Sequence, residues 1–350
     1  MPTPVQRFRV WRGTNISHWL SQSDQRGELR RAKFTQADVE RIAQWGFDHI
    51  RLPVDEEQLW DEAGRPDREA FDLLDNGLDW AAQAGLKVVV DLHLLRSHCF
   101  CDQNDPRLFT DPQEQIKFVT FWRELSNRLK CRPIEQVAYE LMNESVAHDP
   151  EDWNRVASAA YRAIRELEPQ RVIVLGSNQA NSVFTFQQLW VPEDHATLLT
   201  FHYYHPMLIT HYKASWWPGG GDYDGPIQYP GEQIPAQTLS SLPLPLHDRL
   251  SAFNRHYDRE TMAADLAQPL AVAAKTGLPL YCGEFGVHST VPLELRKAWY
   301  RDWISVLDQN HIGWANWDYR GCFGIVDENR QSTGIAEVML GNPPPTGIAQ

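Results

Sequence analysis

Two glutamates in this sequence each end a short run of apolar and β-branched residues. Glu144 closes the segment YELMNE, and Glu284 lies in YCGEFG. Such runs are typical of buried strands, so each carboxyl group is expected at the carboxyl end of a strand. Two carboxyl groups about 5 Å apart can cleave a β-glycosidic bond with retention, because one protonates the leaving oxygen while the other attacks the anomeric carbon. We therefore predict that Glu144 is the acid/base and that Glu284 is the nucleophile.

Three polar residues at other strand ends fit the same chemistry. Asn143 is expected to donate to the sugar 2-hydroxyl, an interaction that strengthens in an oxocarbenium-like transition state. Tyr204 is expected to hold the nucleophile ionised, and Arg51 is expected to lower the pKa of Glu284. A structural interpretation stays open for two of them, since Asn143 can cap a helix and Arg51 can pair with a structural acid.

Rings are also placed at the predicted strand ends. His93 and His202 are included because other candidate site residues lie at the neighbouring predicted strand ends. A histidine at such a position is by itself more often structural than catalytic. We predict that Trp317 forms a flat apolar floor beneath one sugar ring, with barrel core as its alternative role. The further aromatic residues expected to line sugar subsites are Trp19, Phe100, Trp216 and Trp217.

The segment 98–102 after the third predicted strand, HCFCD, combines several residue types that bind metals. Its spacing matches neither a zinc knuckle nor a His-Glu-x-x-His helix. We therefore predict no metal and no cofactor. A metal-dependent barrel hydrolase using His93, His98 and His202 stays open as an alternative, and it would lose activity in EDTA.

Short apolar runs alternate with helix-period segments along the chain, which is the pattern of repeated βα units. The predicted strands are 11–16, 49–53, 86–92, 137–142, 172–175, 198–202, 280–284 and 313–317. The predicted helices are 35–45, 71–84, 114–129, 153–166, 260–276 and 293–309. Eight such strands predict an α/β fold with one (β/α)₈ TIM barrel, a single catalytic domain over 1–350. A long decorated loop, 203–257, is expected after strand six.

Composition and charge narrow the class of partner. The formal charge of −13 and the lack of Lys and Arg clusters argue against nucleic acid, so an oligo- or polysaccharide substrate fits better. The sequence contains no run of 18 apolar residues, so no membrane span is predicted. The N-terminus lacks an apolar signal region and the five cysteines are odd in number, which favours the cytoplasm unless a signal was removed from a secreted form. The oligomeric state stays open.

The order of motifs resembles that of the family five glycoside hydrolases, also called cellulase family A. The matching segments are RGTNISHWL, HIRLPV, VVVDLH, YELMNE, TFHYYHP, YCGEFG and WANWDY. The resemblance covers most of the chain and implies that the family's eight recurrent active-site residues are Arg51, His93, Asn143, Glu144, His202, Tyr204, Glu284 and Trp317. Ser145 departs from the family pattern, which usually has proline after the catalytic glutamate.

We therefore predict a retaining β-glycoside hydrolase that cleaves β-1,4-linked glucan or gluco-oligosaccharides by double displacement, as cellulases and endoglucanases do. Mannan-directed or exo-acting hydrolysis within the same family is the first alternative. A barrel that binds carbohydrate without cleaving it is the alternative from another class. The loops that would decide between endo and exo action are not readable from the sequence.

Overall fold

The computed structural model describes residues 3–101 and 106–341. Eight parallel strands form a closed barrel, in which the first strand along the chain pairs with both the second and the eighth. The predicted (β/α)₈ architecture is confirmed, and every predicted strand overlaps an observed one. The strands are β1 (Arg12–Asn15), β2 (His49–Val54), β3 (Lys87–Leu92), β4 (Val137–Glu140), β5 (Ile173–Gly176), β6 (Thr197–Tyr203), β7 (Leu280–Phe285) and β8 (Gly313–Asn316).

Helices connect successive strands around the outside of the barrel. The longer ones are Gln36–Gln44, Arg68–Gln83, Pro112–Leu129, Pro150–Leu167, Ala267–Thr276 and Leu293–Gln309. The shorter ones are Pro4–Phe8, Gly27–Lys33, Glu56–Leu59, Arg107–Thr110, Met207–Thr210, Ala236–Ser240, Leu244–Ser251, Arg259–Asp265 and Ala336–Leu340. A left-handed turn at Asn178–Asn181 precedes the 3₁₀ helix Val183–Gln188. Within the described residues, no helix has the length and apolar character needed to cross a membrane.

The predicted helix 260–276 is wrong as one element, because the chain forms two helices, Arg259–Asp265 and Ala267–Thr276. Pro269 lies in the first turn of the second helix, where its missing N–H has no intrahelical acceptor to lose. In one continuous helix the same proline would lie in the interior and break a backbone hydrogen bond. The other predicted helices each overlap an observed one. Thr35 and Asp38 form a capping box at the start of the helix Gln36–Gln44.

Side chains on the inner face of the barrel change character along its axis. The lower part is filled by apolar side chains that belong to a cluster of their own, which includes Val89, Ala138, Val174 and Ala315. Side chains nearer the carboxyl ends are charged or polar, because strand residues two apart share a face. Val89 is thus followed on the same face by Asp91 and then by the position of His93. The apolar floor supports a polar layer at the barrel mouth.

The long loop after β6 contains short elements instead of a featureless chain. A two-stranded antiparallel ribbon joins Gly231–Glu232 to His256–Tyr257. Buried tyrosines hold the loop on the barrel; the hydroxyl of Tyr229, for example, donates to Asp302 on the helix Leu293–Gln309 at 2.8 Å. The loop is therefore a fixed part of the rim beside β6.

Trp19 lies in the hydrophobic core, which corrects its predicted role at a sugar subsite. Its side chain is 0% exposed, and its indole N–H donates to the carbonyl of Arg30 at 2.9 Å. Its ring packs against Phe34 and Trp80, and a Cβ on Gly77 would approach the ring to 3.2 Å. Trp19 therefore packs between the helices Gly27–Lys33 and Arg68–Gln83 as part of the core.

Replacing Trp19 with Ala is expected to lower the free energy of unfolding by about 3–5 kcal/mol, because a large buried ring leaves a cavity. Denaturant unfolding measures this change. The exposed Trp216, changed to Ala, is the control and is expected to alter stability by no more than about 0.5 kcal/mol. A Trp19→Phe variant with wild-type stability and a raised KM would instead show that Trp19 contacts the sugar.

Candidate active site

Arg51 on β2 is the centre of the polar layer. It is fully buried and ion-paired with three carboxyl groups, at 2.7 Å from Glu140, 3.0 Å from Asp91 and 2.7 Å from Glu284. Its guanidinium also donates to the side-chain oxygens of Asn15 and Asn143. Since a guanidinium has five N–H donors in a rigid plane, these contacts fix the relative positions of side chains from several strands.

One cation does not balance this many buried acids. Burial raises the pKa of Asp91 to about 7 and that of Glu140 to about 7, and the positive charge of Arg51 opposes both shifts. The layer therefore holds protons near neutral pH instead of carrying every negative charge. Neither Asp91 nor Glu140 was singled out from the sequence. Asp91 lies two residues before the predicted site residue His93, and Glu140 lies two residues before the end of the predicted strand 137–142.

Glu284, the predicted nucleophile, accepts hydrogen bonds on both oxygens. Arg51 Nη1 donates to Oε1 at 2.7 Å, and the Tyr204 hydroxyl donates to Oε2 at 2.9 Å. Burial, and then the charge of Glu284, raise the pKa of Tyr204 well above its usual value, so the phenol keeps its proton. A register shift between β6 and β7 skips Gly283 and sets Glu284 opposite His202. These contacts favour the ionised form of Glu284.

Glu144, the predicted acid/base, lies just beyond the end of β4. Its Oε1 is 2.8 Å from His202 Nδ1, and one oxygen of Glu144 lies within 4.8 Å of one on Glu284. Burial raises the pKa of Glu144 well above its usual value, and the charge of Glu284 raises it further. Burial also raises the pKa of Glu284, but Arg51 is the first group to oppose that rise. The proton therefore belongs on Glu144.

Asn143 presents its amide in one orientation. Arg51 Nη2 donates to Asn143 Oδ1 at 2.9 Å, so the oxygen is taken and the amide NH₂ is left to donate to a ligand. This is the donor that the sequence interpretation required for a sugar 2-hydroxyl. Asn143 begins no helix here, since the next helix, Pro150–Leu167, has Asp149 as its cap.

His93 and Trp317 form one wall of the site. Their rings stack at 5.4 Å with planes 6° apart, and His93 Nδ1 is 2.7 Å from Asp91 Oδ2. Burial lowers the pKa of His93 to about 3, so the imidazole is neutral. His93 Nε2 is buried and has no hydrogen-bond partner among the described residues, so it is placed to bond a ligand hydroxyl. His18, in the RGTNISHWL segment, meets the Trp317 ring edge-on at 6.4 Å and was missed by the sequence interpretation.

The other aromatic candidates differ in exposure. Trp216 is 57% exposed, with its ring 5.2 Å from that of His288. Trp217 is partly buried and packs against the core, with Phe253 at 5.2 Å. Phe100 meets His93 edge-on at 6.0 Å. Of the pair on the long loop, Trp216 is therefore the one that offers an open face.

The metal site considered as an alternative, formed by His93, His98 and His202, is not brought together among the described residues. Among the described residues, only Glu144, His202 and Glu284 come close enough together to share an ion. His98 is 2.8 Å from the carbonyl oxygen of Glu144, so it supports the backbone of the acid/base. Cys99 and Cys101 are joined in a disulfide, which leaves no thiolate to bind a metal, and Asp102 lies outside the described residues.

A closed (β/α)₈ barrel with two carboxyl groups within 4.8 Å of each other at its mouth, one of them held by Arg51 and Tyr204, is the arrangement of a retaining glycoside hydrolase. Comparison with known proteins gives the particular family. Residues 6–322 match the model of the cellulase family, glycosyl hydrolase family 5. The chain belongs to this family.

Named relatives and solved structures agree with that placement. Endoglucanase C of Acetivibrio thermocellus is 32% identical over 323 residues, covering 91% of this chain and 94% of the relative. Cellodextrinase A of Ruminococcus flavefaciens is 29% identical over 83% of this chain and 80% of its own length. The crystal structure of endoglucanase Cel5A from Thermotoga maritima superposes with a TM-score of 0.77 at 22% identity, covering 97% of this chain and 99% of that one.

Tyr204→Phe is expected to move the acidic limb of the kcat/KM profile to higher pH by about one unit. Glu284 must be ionised to attack, so activity rises as pH increases through its pKa, and loss of a donor to the carboxylate raises that pKa. Tyr203→Phe is the matched control, because the Tyr203 hydroxyl donates to Asp265 instead. An unshifted acidic limb in Tyr204→Phe would contradict the role of this hydrogen bond.

Proposed function

We propose that this protein hydrolyses β-1,4-linked glucan chains and gluco-oligosaccharides, with Glu144 as acid/base and Glu284 as nucleophile. The observation that carries the assignment is the unequal environment of the two carboxyl groups. Glu284 accepts from Arg51 and Tyr204, whereas Glu144 is contacted by a neutral histidine and repelled by Glu284. Two carboxyl groups with separated pKa values are what acid and nucleophile roles need.

The reaction proceeds in two displacements. Glu284 attacks the anomeric carbon, the glycosidic bond breaks, and the proton of Glu144 goes to the leaving oxygen. The ionised Glu144 then takes a proton from water, whose oxygen displaces Glu284 and leaves the anomeric configuration unchanged. Asn143 donates to the 2-hydroxyl in both transition states, while the stacked rings of Trp317 and His93 hold the sugar from one side.

The β-1,4-glucan substrate is supported by the relatives. One is named an endoglucanase and another a cellodextrinase. Mannan stays as the second candidate, because a complex of Thermotoga maritima Cel5A with mannotriose is also among the similar structures, with a TM-score of 0.77 at 21% identity. Trp216, exposed on the long loop, supports a further sugar-binding position, since an aromatic face can stack on a sugar ring.

A screen with reducing-sugar detection separates these substrates. We expect release from carboxymethylcellulose and mixed-linkage glucan, with lower or no release from mannan, xyloglucan and xylan. Cello-oligosaccharides of increasing length distinguish internal cleavage from release of short units at chain ends. Equal activity with and without EDTA is expected, since protein side chains supply both proton and nucleophile. Higher activity on mannan than on any glucan, or loss of activity in EDTA, would overturn the proposal.

Chemical rescue assigns the two glutamates separately. Glu284→Ala removes the attacking atom, so turnover should fall by several orders of magnitude for every leaving group, and azide should yield a glycosyl azide of inverted configuration. Glu144→Ala removes only proton donation, so a dinitrophenyl glycoside should still form the covalent intermediate, and azide should yield a product of retained configuration. Product stereochemistry is read by proton NMR.

Two outcomes of the rescue experiment would contradict the proposed roles. An inverted azide from Glu144→Ala together with a retained azide from Glu284→Ala would exchange the roles. Full activity of either variant on β-glucan would refute the site. Glu57→Ala, an exposed glutamate on the helix Glu56–Leu59, controls for the loss of any carboxyl group and is expected to retain activity.

A further inference from the structure

The turn Asn178–Asn181 after β5 has a conformation that this sequence does not favour by itself. Gln179, Ala180 and Asn181 have φ values of 56°, 61° and 53°, and none of the three is glycine. Left-handed backbone at consecutive residues with a Cβ is strained, so it persists only where surrounding contacts impose it. The contacts that do so lead to the backbone around Glu144.

The turn is hydrogen-bonded to the loop that contains the acid/base. The N–H of Ala180 donates to the carbonyl of Ser145 at 2.9 Å. The side chain of Asn178 accepts from the N–H of Ala147 at 2.9 Å and donates to its carbonyl at 2.8 Å. The Ser145 hydroxyl also donates to Asn178, at 3.2 Å. The loop has Ser145 where the family usually has proline after Glu144. Hydrogen bonds from the turn Asn178–Asn181 hold the backbone of the loop at this point.

Asn181 reaches further, to the histidine that contacts Glu144. Its Nδ2 donates to the carbonyl of Asn143 and lies 3.4 Å from His202 Nε2. The side chain fits only because residue 176 is glycine; a Cβ there would lie 1.8 Å from Asn181 Oδ1. A backbone carbonyl can only accept, so the atom facing both groups must be the amide nitrogen, which has two hydrogens to donate.

This orientation determines where the proton of His202 sits. Burial lowers the pKa of His202 well below its usual value, so the ring is neutral and has one N–H. Since Nε2 faces a donor, it accepts, and the hydrogen is on Nδ1, which is 2.8 Å from Glu144 Oε1. Oε1 is therefore an acceptor, and the transferable proton of Glu144 is left to Oε2.

We propose that Asn181 is a positioning residue that fixes the tautomer of His202 and thereby the oxygen of Glu144 that carries the catalytic proton. The inference rests on the proposed role of Glu144 as acid/base. Among the described residues the Asn181 amide contacts Asn143 and His202 and not Glu284, so it acts through His202. The titratable and charged groups that face Glu144 from the neighbouring strands are Arg51, Asp91, Glu140, His202, Tyr204 and Glu284.

The first test is a direct measurement of the tautomer in the intact protein. Ring ¹⁵N NMR of histidine-labelled enzyme, with His202 assigned from the signals absent in His202→Gln, is expected to show a protonated Nδ1 and an unprotonated Nε2. Asn181→Ala is expected to lose this preference. Asn178→Ala is the matched control, because Asn178 holds the same loop without touching His202. In this variant the tautomer of His202 should remain that of the wild type.

Kinetics provide the second test. In Asn181→Ala the Nε2–H tautomer of His202 becomes accessible. The unprotonated Nδ1 of that tautomer accepts a hydrogen bond from a protonated Oε1 of Glu144, so the pKa of Glu144 rises. The basic limb of kcat/KM then moves to higher pH, because activity is lost only as pH rises through that pKa. Activity on unactivated oligosaccharides should fall roughly tenfold or more, with little change for a dinitrophenyl glycoside that needs no proton. Asn178→Ala should lose activity without moving the basic limb.

These outcomes separate a failed inference from a failed function. A wild-type His202 protonated on Nε2, or an Asn181→Ala variant with an unmoved basic limb, would overturn the role of Asn181 while leaving Glu144 as the acid. If Glu144→Ala itself retained full activity on oligosaccharides, the proposed function would fail first. The NMR result does not depend on turnover, so it stays interpretable in either case.

Discussion

The buried guanidinium of Arg51 is the interaction on which the rest of this site depends. It holds Glu140, Asp91 and Glu284 within ion-pair distance and is itself fully buried. Removing it would leave several acids in a medium of low polarity without a counter-charge, a costly state that protonation of the nucleophile would relieve. Arg51 thus links the stability of the barrel mouth to the ionisation that catalysis needs.

A division of labour between the two carboxyl groups follows from this arrangement. One oxygen of each lies within 4.8 Å of the other and burial raises the pKa of both, so the difference between them must come from specific contacts. Arg51 and Tyr204 donate to the carboxylate of Glu284, whereas the carboxyl group of Glu144 is contacted by His202. The bulge at Gly283 is what sets His202 opposite Glu284, so a backbone irregularity of one residue brings the three side chains together.

Around this pair, the loops at the barrel mouth support the backbone that contains Glu144. The β3 loop sends His98 to the carbonyl of Glu144, and the β5 turn holds the backbone from Asn143 to Ala147. Backbone support of this kind keeps a catalytic carboxyl within a fraction of an ångström of its working position. Trp216 on the β6 loop differs from these supporting residues, because its ring is exposed.

The sequence by itself determined the order of strands, the barrel and the two glutamates, because strand periodicity is local and each site residue lies at the end of a recognisable apolar run. It placed Arg51, Asn143 and Tyr204 correctly beside those glutamates for the same reason. Only the tertiary structure decided that Trp19 is core, that Pro269 lies in the first turn of a second helix, and that His18 and Asn181 lie next to Trp317 and His202. Asn181 meets Asn143 and His202 across distances of 38 and 21 residues in the chain. No local pattern encodes such contacts, since they exist only once the barrel has closed and brought the strand ends together.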